Sequence, residues 1–347
     1  MTKKTFAWAV IGAGPAGIAA VGKLIDNGVK PAEILWLDPE FKAGDFGTRW
    51  RNVASNTRVE HFFKYYNGCE SFEFDSAPHF PILDVPPRDN CTLSLAADPL
   101  QWITGKLRKK VTAHVGKVQQ LKLLKRLWHL KQADNEFAAS NVILAIGAEP
   151  TSLDYPGVEE IPLALALDPE KLVSVCKPDD VVAVFGSSHS AMIVLKTLSE
   201  QCDIKQMINF YLSPLRFAVY FEDYILFNDT GLKGTTAVWA QENINGVYPP
   251  NLQRTLASEA NIRVSLPLCN KVIYATGFQK RLIPVDGMAT LKYNDRSGII
   301  APGLFGLGIA FPEAKVDKFG TLEYRVGLWK FMDYLNNIMP VWLRYTT

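Results

Sequence analysis

The sequence has almost no net charge and no long uninterrupted apolar segment beyond its first 20 residues. Its 37 basic and 35 acidic side chains leave a formal net charge of +2. No global field would therefore draw the chain to nucleic acid or to an acidic membrane surface. Without an apolar stretch long enough to span a bilayer, we expect no membrane and no nucleic-acid partner, but a small-molecule substrate.

The sequence also lacks closely spaced cysteines. Its five cysteines are scattered, and none forms a Cys-x-x-Cys or another close pair typical of a redox dithiol or a zinc site. We expect buried, reduced thiols and no metal. Four isolated histidines, each expected to be structural or exposed, have no metal-ligand or triad spacing: His61, His79, His114 and His129.

The chain is long enough for two domains of modest size. Of its 347 residues, 48% are hydrophobic and 21% charged, a balance that favours an ordered globular chain over a disordered one. Residues 1–20 resemble a secretory signal, with two lysines before an apolar run. Glycines and a proline interrupt that run, and their spacing is better explained by a glycine-rich loop than by a secretory signal. We therefore expect a cytoplasmic location.

The first glycine-rich loop directly follows a short β-rich run. Residues 6–11 (FAWAVI) are typical of a buried parallel strand, and GAGPAG occupies residues 12–17. In a dinucleotide-binding loop, Gly12 permits the sharp turn, Gly14 lets a pyrophosphate approach the backbone, and Gly17 lets the next helix pack on the strand. The predicted cofactor contacts here are Gly12, Gly14, Pro15, Ala16 and Gly17.

The next segment completes the pattern. A helix predicted over 16–27 would direct its free amide groups and its positive dipole end at the phosphates. The apolar run 33–37 predicts a second strand that ends at Asp38, about 20 residues after the loop. A carboxylate there accepts hydrogen bonds from ribose hydroxyls, so Asp38 and the adjacent Pro39 are predicted cofactor contacts. A ligand-free glycine turn is the alternative, and the complete pattern disfavours it.

The Gly-x-Gly-Pro-Ala-Gly form resembles the FAD site of flavoproteins with two dinucleotide-binding domains. This group contains disulfide reductases and flavin-dependent N- and S-oxygenating monooxygenases. VILAIGAEP at 142–150 is similar to the segment where the chain leaves the FAD domain, and VIYATGF at 272–278 is similar to the segment where it returns. Gly147 and Gly277 would keep both crossings free of side chains beside the cofactor, with Ala145 a further contact. Ordinary strand-end turns are the alternative.

The resemblance implies an α/β fold with a discontinuous Rossmann-like FAD-binding domain. Residues 1–150 and 271–347 would form this domain, and residues 151–270 would form a smaller inserted NAD(P)-binding-like domain. We expect the catalytic cleft between the two domains. Residues 151–180 contain no histidine and so lack the Phe-x-Gly-x-x-x-His run usual in the monooxygenases; their prolines predict a linker.

The inserted domain contains a second, degraded phosphate loop. Residues 181–198 predict a strand, a glycine turn and an amphipathic helix, but Ser188 replaces the middle glycine. A serine hydroxyl could bind a phosphate, and His189 would stabilise an anion if protonated. The predicted contacts are Gly186, Ser187, Ser188, His189 and Ser190. A vestigial structural turn is the alternative.

The residues after the next strand favour NADPH as the second cofactor. The strand predicted over 206–212 would end beside the adenosine ribose, where Ser213 and Arg216 follow and no acid occurs. An arginine in place of a carboxylate favours the 2′-phosphate of NADP over the free hydroxyl of NAD. A solvated surface position for Arg216 is the alternative.

Residues 49–62 (RWRNVASNTRVEHF) are polar and aromatic, and their pattern is too irregular for a helix. Within them, VASNT at 53–57 is similar to a stretch of the flavin-containing monooxygenases in which the asparagine faces the flavin and the bound oxygen. The resemblance implies a catalytic role for Asn56, whose amide offers two donors and one acceptor. It also implies that Trp50 covers the flavin ring. A turn-forming role for Asn56 is the alternative.

The C-terminal part resembles the end of the same FAD domain. GLFGLGIAFPEA at 303–314 is similar to the final FAD-contacting strand and helix start, where Gly306 and Gly308 would let the backbone reach the cofactor. Residues 320–345 predict a helix with apolar groups on more than one face. We expect it to pack on the FAD domain, with a homodimer contact or a membrane anchor as alternatives.

These features predict an FAD-dependent, NADPH-linked oxidoreductase that resembles a monooxygenase and acts on a small nucleophilic substrate. A reductase or oxidase without oxygenation stays open. A flavin-binding regulatory protein with a degraded NAD(P) site also stays open. A disulfide reductase fits less well, because no cysteine pair has suitable spacing.

Overall fold

The computed structural model describes residues 4–133, 135–222 and 224–345, so residues 1–3 of the signal-like start lie outside it. The strands are, in chain order, β1 (Thr5–Ile11), β2 (Ile34–Asp38), β3 (Ala54–Arg58), β4 (Asn90–Thr92), β5 (Thr112–Val115), β6 (Gln120–Leu124), β7 (Leu127–Gln132), β8 (Asn135–Leu144), β9 (Ala148–Pro150), β10 (Glu159–Glu160), β11 (Val181–Phe185), β12 (Gln206–Tyr211), β13 (Val219–Tyr220), β14 (Ile225–Leu226), β15 (Leu252–Leu256), β16 (Lys271–Tyr274), β17 (Phe278–Lys280), β18 (Ile299–Ala301), β19 (Leu304–Gly306), β20 (Glu313–Val316) and β21 (Leu322–Arg325). The helices are α1 (Pro15–Asp26), α2 (Gly44–Thr48), α3 (Val59–Tyr66), α4 (Leu93–Lys110), α5 (Leu163–Ala166), α6 (Pro169–Val175), α7 (His189–Glu200), α8 (Gly234–Asn243), α9 (Glu259–Ser265) and α10 (Leu328–Trp342).

The first sheet is built from two separate parts of the chain. Its main path runs β18-β19-β8-β1-β2-β5, and the strands from β19 to β5 are parallel. β6 and β7 extend it beside β8 as an antiparallel meander. The central strands β1 and β2 are apolar along most of their length because helices and loops cover both faces of a parallel sheet.

The second sheet is smaller and entirely parallel, in the order β10-β16-β11-β12-β15. Its core joins Val182 and Val184 of β11 to Ala191 and Leu195 of α7. The alternation of strand and helix along the chain produces this architecture, because parallel strands need crossover connections. The predicted α/β fold with Rossmann-like parallel sheets is confirmed.

A two-stranded ribbon connects the two sheets. β9 leaves the first sheet and β17 returns from the second, and the two pair in antiparallel fashion. The Thr151 amide donates to the Gly277 carbonyl at 3.0 Å, and the Arg281 amide donates to the Gly147 carbonyl at 3.1 Å. Both glycines have positive φ, +72° and +103°, which explains the strand-then-glycine pattern at each crossing.

The expectation of an irregular segment over 49–62 is wrong for its last residues. Residues 59–62 form the first turn of α3, which follows β3 directly. Val59, Phe62 and Tyr66 recur at helical spacing and are buried on one side of this helix. Three aromatic and aliphatic side chains at that spacing outweigh the polar residues between them.

The expectation of a linker over 151–180 is also wrong. This segment contains β10, which pairs with β16 at the edge of the second sheet, and the helices α5 and α6. Pro169 occupies the first turn of α6, where its missing amide proton is not needed. The Asp168 side chain caps the same turn by accepting from the Lys171 amide at 3.4 Å.

The expectation of a helix start directly after Gly308 is wrong, because the next helix begins only at Leu328. The chain makes a turn in which the Phe311 amide donates to the Gly308 carbonyl at 3.0 Å, and the hairpin β20–β21 follows. Pro312 lacks the amide proton that would continue a helix. The C-terminal helix α10 begins only at Leu328 and packs against α1 and α3, as expected for packing on the first domain.

The end of α10 closes the core of the first sheet. Trp342 is fully buried, and its ring stacks on Phe305 of β19 with centroids 4.9 Å apart. Its indole also donates to the Ser297 carbonyl at 2.7 Å. In the described parts of the chain, no helix is both long and apolar enough to cross a membrane.

Candidate functional site

The first glycine loop closes onto the ends of the neighbouring strands. The Gly12 amide donates to the Leu37 carbonyl at 2.8 Å, and the Ala145 amide donates to the Ile11 carbonyl at 2.9 Å. Gly12 has φ +109°, and a Cβ added there would lie 2.2 Å from the Ala145 carbonyl oxygen. Only glycine fits this position, and the predicted contact Ala145 lies directly beside it.

Gly14 and Gly17 are glycines for different reasons. A Cβ on Gly17 would lie 1.9 Å from the Gly12 carbonyl oxygen, so its absence lets α1 approach the strand. Gly14 has an ordinary φ of −76°, and its added Cβ would meet nothing closer than the Gly44 Cα at 3.9 Å. Protein packing therefore does not require glycine at residue 14. An open cradle at the first turn of a helix suits the pyrophosphate of a dinucleotide.

The backbone at Gly308 covers the first turn of α1. Its φ is +84°, and an added Cβ would lie 2.7 Å from the Ala16 Cβ. On the other side of this turn, the Tyr65 hydroxyl donates to the Pro15 carbonyl at 2.6 Å. The structure thus brings the predicted contacts Pro15, Ala16 and Gly308 together, although Gly308 is nearly 300 residues away along the chain.

A short helix that the sequence did not single out also borders the loop. Gly44 begins α2 with φ +62°, and a Cβ on it would lie 2.8 Å from the Gly14 Cα. Arg281, just after β17, donates to Asp45 of α2 at 2.6 Å and to Glu149 of β9 at 3.0 Å. This arginine ties the ribbon between the sheets to the helix that touches the phosphate loop.

Asp38 lies at the predicted position but is already engaged by the protein. Its Oδ2 accepts from the Ala13 amide at 2.7 Å, and its Oδ1 accepts from the amides of Glu40 and Phe41 at 2.8 and 2.6 Å. The carboxylate thus joins the glycine loop to the turn that contains Pro39. Because a carboxylate oxygen can accept two hydrogen bonds, Oδ2 keeps one position for a ribose hydroxyl. Ribose binding by Asp38 stays a prediction.

The second glycine loop closes in the same way as the first. The Gly186 amide donates to the Phe210 carbonyl and the Ala275 amide to the Phe185 carbonyl, both at 2.8 Å. Gly186 has φ +125°, and an added Cβ would lie 2.4 Å from the Ala275 carbonyl oxygen. Ser188 precedes α7 but its side chain makes no capping hydrogen bond. Its hydroxyl is thus available to a ligand, and phosphate binding by residues 187–190 stays a prediction.

The surroundings of His189 disfavour the protonated form in which this residue would stabilise an anion. Its Nε2 lies 3.3 Å from the Ala54 carbonyl oxygen, and its buried Nδ1 has no partner among the described residues. Burial lowers the pKa of His189 below its ordinary value, and the charge of Lys233 lowers it further, against the opposing hydrogen bond to Ala54. The imidazole is therefore neutral at pH 7, and it connects the second loop to β3.

The Arg216 side chain contacts Phe227 and Thr230 on the protein surface. It is exposed, its guanidinium lies 4.7 Å from the Phe227 ring centroid, and its Nη1 is 3.5 Å from the Thr230 hydroxyl. These contacts hold it against the segment that follows β14. Its predicted contact with a 2′-phosphate stays a prediction.

A second arginine, which the sequence did not single out, is connected to the Gly186 loop. Arg254 of β15 lies opposite Asn209 and donates to its side-chain oxygen at 2.8 Å. Asn209 in turn donates to the Gly186 carbonyl at 2.9 Å. The guanidinium also covers the Tyr211 ring at 4.4 Å, and its buried Nη2 has no partner among the described residues. Arg254 is therefore a further candidate cation for a nucleotide phosphate.

The segment that contains Trp50 and Asn56 lies between the two sheets. Trp50 contacts Phe278 of the ribbon edge-on, with ring centroids 5.9 Å apart, and packs against the core of the second sheet. The Asn52 amide donates to Asp168 at 2.9 Å. Asn56 accepts from the Thr57 hydroxyl at 3.3 Å and lines a cavity.

This cavity, which we call the Asn56 cavity, has a volume of about 60 Å³. It lies between β3, α3, the residues around β14 and the start of α10. Its polar and aromatic lining includes Asn56, His61, Asp229, Lys233, Trp329 and Lys330. A larger surface groove of about 350 Å³ runs along β6 to β8 and contains none of the predicted site residues.

The two lysines of the Asn56 cavity have different surroundings. Lys330 and Asp229 form a buried ion pair, with 5% and 8% of their side chains exposed. Lys233 instead donates to the backbone carbonyl and side-chain oxygen of Asn228, at 2.6 and 3.0 Å. Burial, together with the charge of Lys330, lowers the pKa of Lys233 to about 8.

His61, which the sequence predicts to be structural or exposed, is half-buried and lines this cavity. Its ring packs against Trp329 with centroids 4.9 Å apart, and its buried Nδ1 has no partner in the described part of the chain. Burial and the charge of Lys64 lower the pKa of His61. The imidazole is therefore neutral at pH 7 and can donate or accept one further hydrogen bond.

The five cysteines are free thiols, of which Cys69 and Cys269 are buried. The structure brings two of the others near each other, since the interaction between their thiols lowers the pKa of Cys176 and raises that of Cys202. Their separation along the chain gave no sign of this proximity. Within residues 4–133, 135–222 and 224–345, no group of His, Cys, Asp or Glu could hold a metal ion.

Comparisons with known proteins agree with this architecture. Residues 6–203 match the model of the family described as pyridine nucleotide-disulphide oxidoreductase. Monooxygenase AgnR1 from Paecilomyces divaricatus is 32% identical, over 96% of this chain and 97% of its own length.

Two solved structures share the fold at low identity. A flavin-containing monooxygenase from Stenotrophomonas maltophilia is 16% identical with a TM-score of 0.65, covering 99% of both chains. The bacillithiol disulfide reductase Bdr (YpdA) from Staphylococcus aureus is 12% identical with a TM-score of 0.63, covering 98% of this chain and 99% of its own. The family match, the curated relative and the shared fold lead to one conclusion: the chain belongs to the pyridine nucleotide-disulphide oxidoreductase family and is an FAD-dependent oxidoreductase.

Proposed function

We propose that this chain is an NADPH-dependent, monooxygenase-like flavoenzyme that acts on a small nucleophilic substrate. The observation that carries the proposal is the repeated loop closure: Gly12 against Ala145 and Gly186 against Ala275, at the carboxyl ends of two parallel sheets. The carboxyl edge of such a sheet is where dinucleotides bind. The relative that is 32% identical is named a monooxygenase, which favours oxygenation over simple reduction.

The residues of the first loop fit FAD. The open cradle at Gly14 and the free amides of α1 would hold the pyrophosphate, with Gly308 above the same turn. When bound, FAD supplies hydride acceptance and oxygen activation, which no amino-acid side chain provides. The protein's part is to orient both nucleotides and to present polar groups at their meeting point.

The second loop and Asn56 would complete the site. Ser188 offers a free hydroxyl at the start of α7, and Arg254 offers an unpaired guanidinium nitrogen for the phosphates of NADPH. Asn56 lies on β3, whose first residue contacts His189 of the second loop. The side-chain amide of Asn56 can hold a reacting group by hydrogen bonds without transferring a proton.

Rapid-mixing absorbance spectroscopy tests this proposal. We expect NADPH to bleach the flavin faster than NADH does, and air to restore the colour through a transient species that delays the release of hydrogen peroxide when no substrate is present. Immediate, stoichiometric release of hydrogen peroxide would instead support an oxidase or an acceptor reductase. A flavin that neither nucleotide bleaches would refute the proposal and support a regulatory flavoprotein.

The role of Asn56 can be tested separately. We expect Asn56→Leu to keep FAD and its reduction by NADPH, but to convert most of the NADPH into hydrogen peroxide, because the amide no longer holds the reacting group. Asn67→Leu is the matched control, since Asn67 ends α3 on the exposed surface. Unchanged product formation per NADPH in Asn56→Leu would show that Asn56 has only a local structural role.

A further inference from the structure

We propose that the Asn56 cavity binds an acidic oxygen of the substrate, a carboxylate or a phenolate, through Lys233 and His61. The inference rests on the proposed function, because it names the substrate class for that same site. The small nucleophile expected from the sequence would thus carry an acidic group beside its reacting atom.

Arg58, which also lines the cavity, pairs with Glu60 at 3.7 Å. Among the described residues, one cation of the lining is left without a contacting carboxylate. Asp229 is shared between Lys330 and the Val326 amide, and the adjacent Glu323 accepts from the Asp229 amide and the Thr230 hydroxyl. Lys233 contacts only the neutral oxygens of Asn228 in the described part of the chain. A partly buried ammonium in this position gains free energy when an anion enters the cavity.

The second polar group of the cavity is an uncharged donor. His61 lines the Asn56 cavity, and its buried Nδ1 atom has no partner among the described residues, so this side chain has an unused hydrogen-bonding group. Because His61 is neutral at pH 7, it can donate one hydrogen bond without adding a second charge. Lys233 and His61 together match one anionic oxygen group better than a neutral one.

Size and shape limit which part of the substrate enters. A volume of about 60 Å³ corresponds to roughly two water molecules, so the cavity can enclose one functional group but not a whole substrate. The Trp329 ring forms one wall, with the Lys330 and Arg325 cations 5.6 and 5.4 Å from its centroid. The remainder of a planar substrate would extend along this wall towards Asn56.

Calorimetric titration of the FAD-loaded protein tests the inference with two matched pairs of probes. Benzoate and benzamide differ mainly in charge, and phenol and anisole differ in the acidic proton. We expect wild type to bind benzoate or phenol at least tenfold more tightly than its neutral partner. The pair that shows the preference distinguishes a carboxylate site from a phenolate site.

Variants of Lys233 test whether this residue causes the preference for the acidic probes. Lys233→Met should abolish it, whereas Lys233→Arg should keep most of it, since the charge is retained. Lys205→Met is the control for the loss of a lysine charge, because Lys205 is exposed and outside the cavity lining. Equal binding of charged and neutral probes by wild type, or an unchanged preference in Lys233→Met, would overturn the inference.

The same samples separate this inference from the proposed function. Flavin content and the rate of flavin bleaching by NADPH are measured beside each titration. Normal bleaching without a preference for acids overturns the substrate class alone. Absence of bleaching overturns the proposed function, while the titration still reports whether the cavity selects an anion.

Discussion

The glycine at residue 14 offers the sharpest test of the phosphate cradle, because the protein itself does not need a glycine there. Its φ is −76°, which alanine adopts without strain. The methyl group of Gly14→Ala would lie 3.9 Å from the nearest other heavy atom, the Gly44 Cα, an ordinary van der Waals distance. We therefore expect the apoprotein of Gly14→Ala to fold normally and its affinity for the dinucleotide to fall.

The substitution is expected to change the free energy of unfolding much less than the affinity for FAD. Alanine is a poorer residue than glycine before a helix, but it also restricts the unfolded chain, so the free energy of unfolding should change by less than about 1 kcal/mol. A methyl group in the cradle would displace the pyrophosphate from at least one backbone amide. A hydrogen bond to a charged group contributes about 1.5–3 kcal/mol, which corresponds to roughly a 10- to 150-fold loss of FAD affinity.

The assay compares FAD affinity and apoprotein stability in the same variants. Flavin fluorescence titration of apoprotein gives the Kd, and urea unfolding gives the free energy of unfolding. Gly105→Ala is the matched control, since an added Cβ there meets nothing within 4 Å and the residue lies in α4, away from the loop. Unchanged FAD affinity in Gly14→Ala would refute the cradle. A large loss of apoprotein stability would refute the packing argument.

Three further predictions concern other parts of the molecule. Gly186→Ala should retain FAD but slow flavin reduction by NADPH at least tenfold, because its Cβ would lie 2.4 Å from the Ala275 carbonyl oxygen. Rapid-mixing absorbance measures the rate of flavin reduction, and a normal rate would contradict a second nucleotide site. Lys271→Met removes the partner of Asp180, whose pKa is lowered because hydrogen bonds from Lys271 and Asn270 outweigh burial. Urea unfolding should show that the free energy of unfolding falls by about 3–5 kcal/mol, and a fall below about 1 kcal/mol would contradict this prediction. Because the pKa of Lys233 falls from 10.5 to about 8 on folding, the unfolded chain binds more protons between these pH values. The stability of wild type relative to Lys233→Met should therefore rise from pH 8 to 10.5, by on the order of 1–3 kcal/mol, and a pH-independent difference in denaturant titrations would count against it.

The sequence alone predicted those features whose determinants are contiguous. The turn at Gly12, the packing of Gly17 and the acid at residue 38 belong to one strand–loop–helix–strand unit, in which spacing along the chain determines spacing in space. The same holds for the loop at Gly186, whose closure against Ala275 reproduces that of Gly12 against Ala145. The parallel sheets follow from the alternation of apolar strands and helices.

Local pattern was insufficient where distant partners decided the conformation. Residues 59–62 looked irregular, but burial of Val59 and Phe62 in the first core makes them helical. The turn after Gly308 looked like a helix start, but residues 313–316 pair with residues 322–325 instead. In both cases, contacts made only in the folded chain outweighed the local sequence preference.

The charges and neighbours of the site were decided by tertiary structure. Nothing near Arg281 in the sequence shows that it joins Asp45 to Glu149, and nothing near His61 shows that it faces Trp329. Burial makes His189 neutral and lowers the pKa of Lys233, and burial depends on every element packed around a side chain. Sequence spacing therefore determined where the nucleotide loops are, whereas long-range packing determined which charged groups meet beside them.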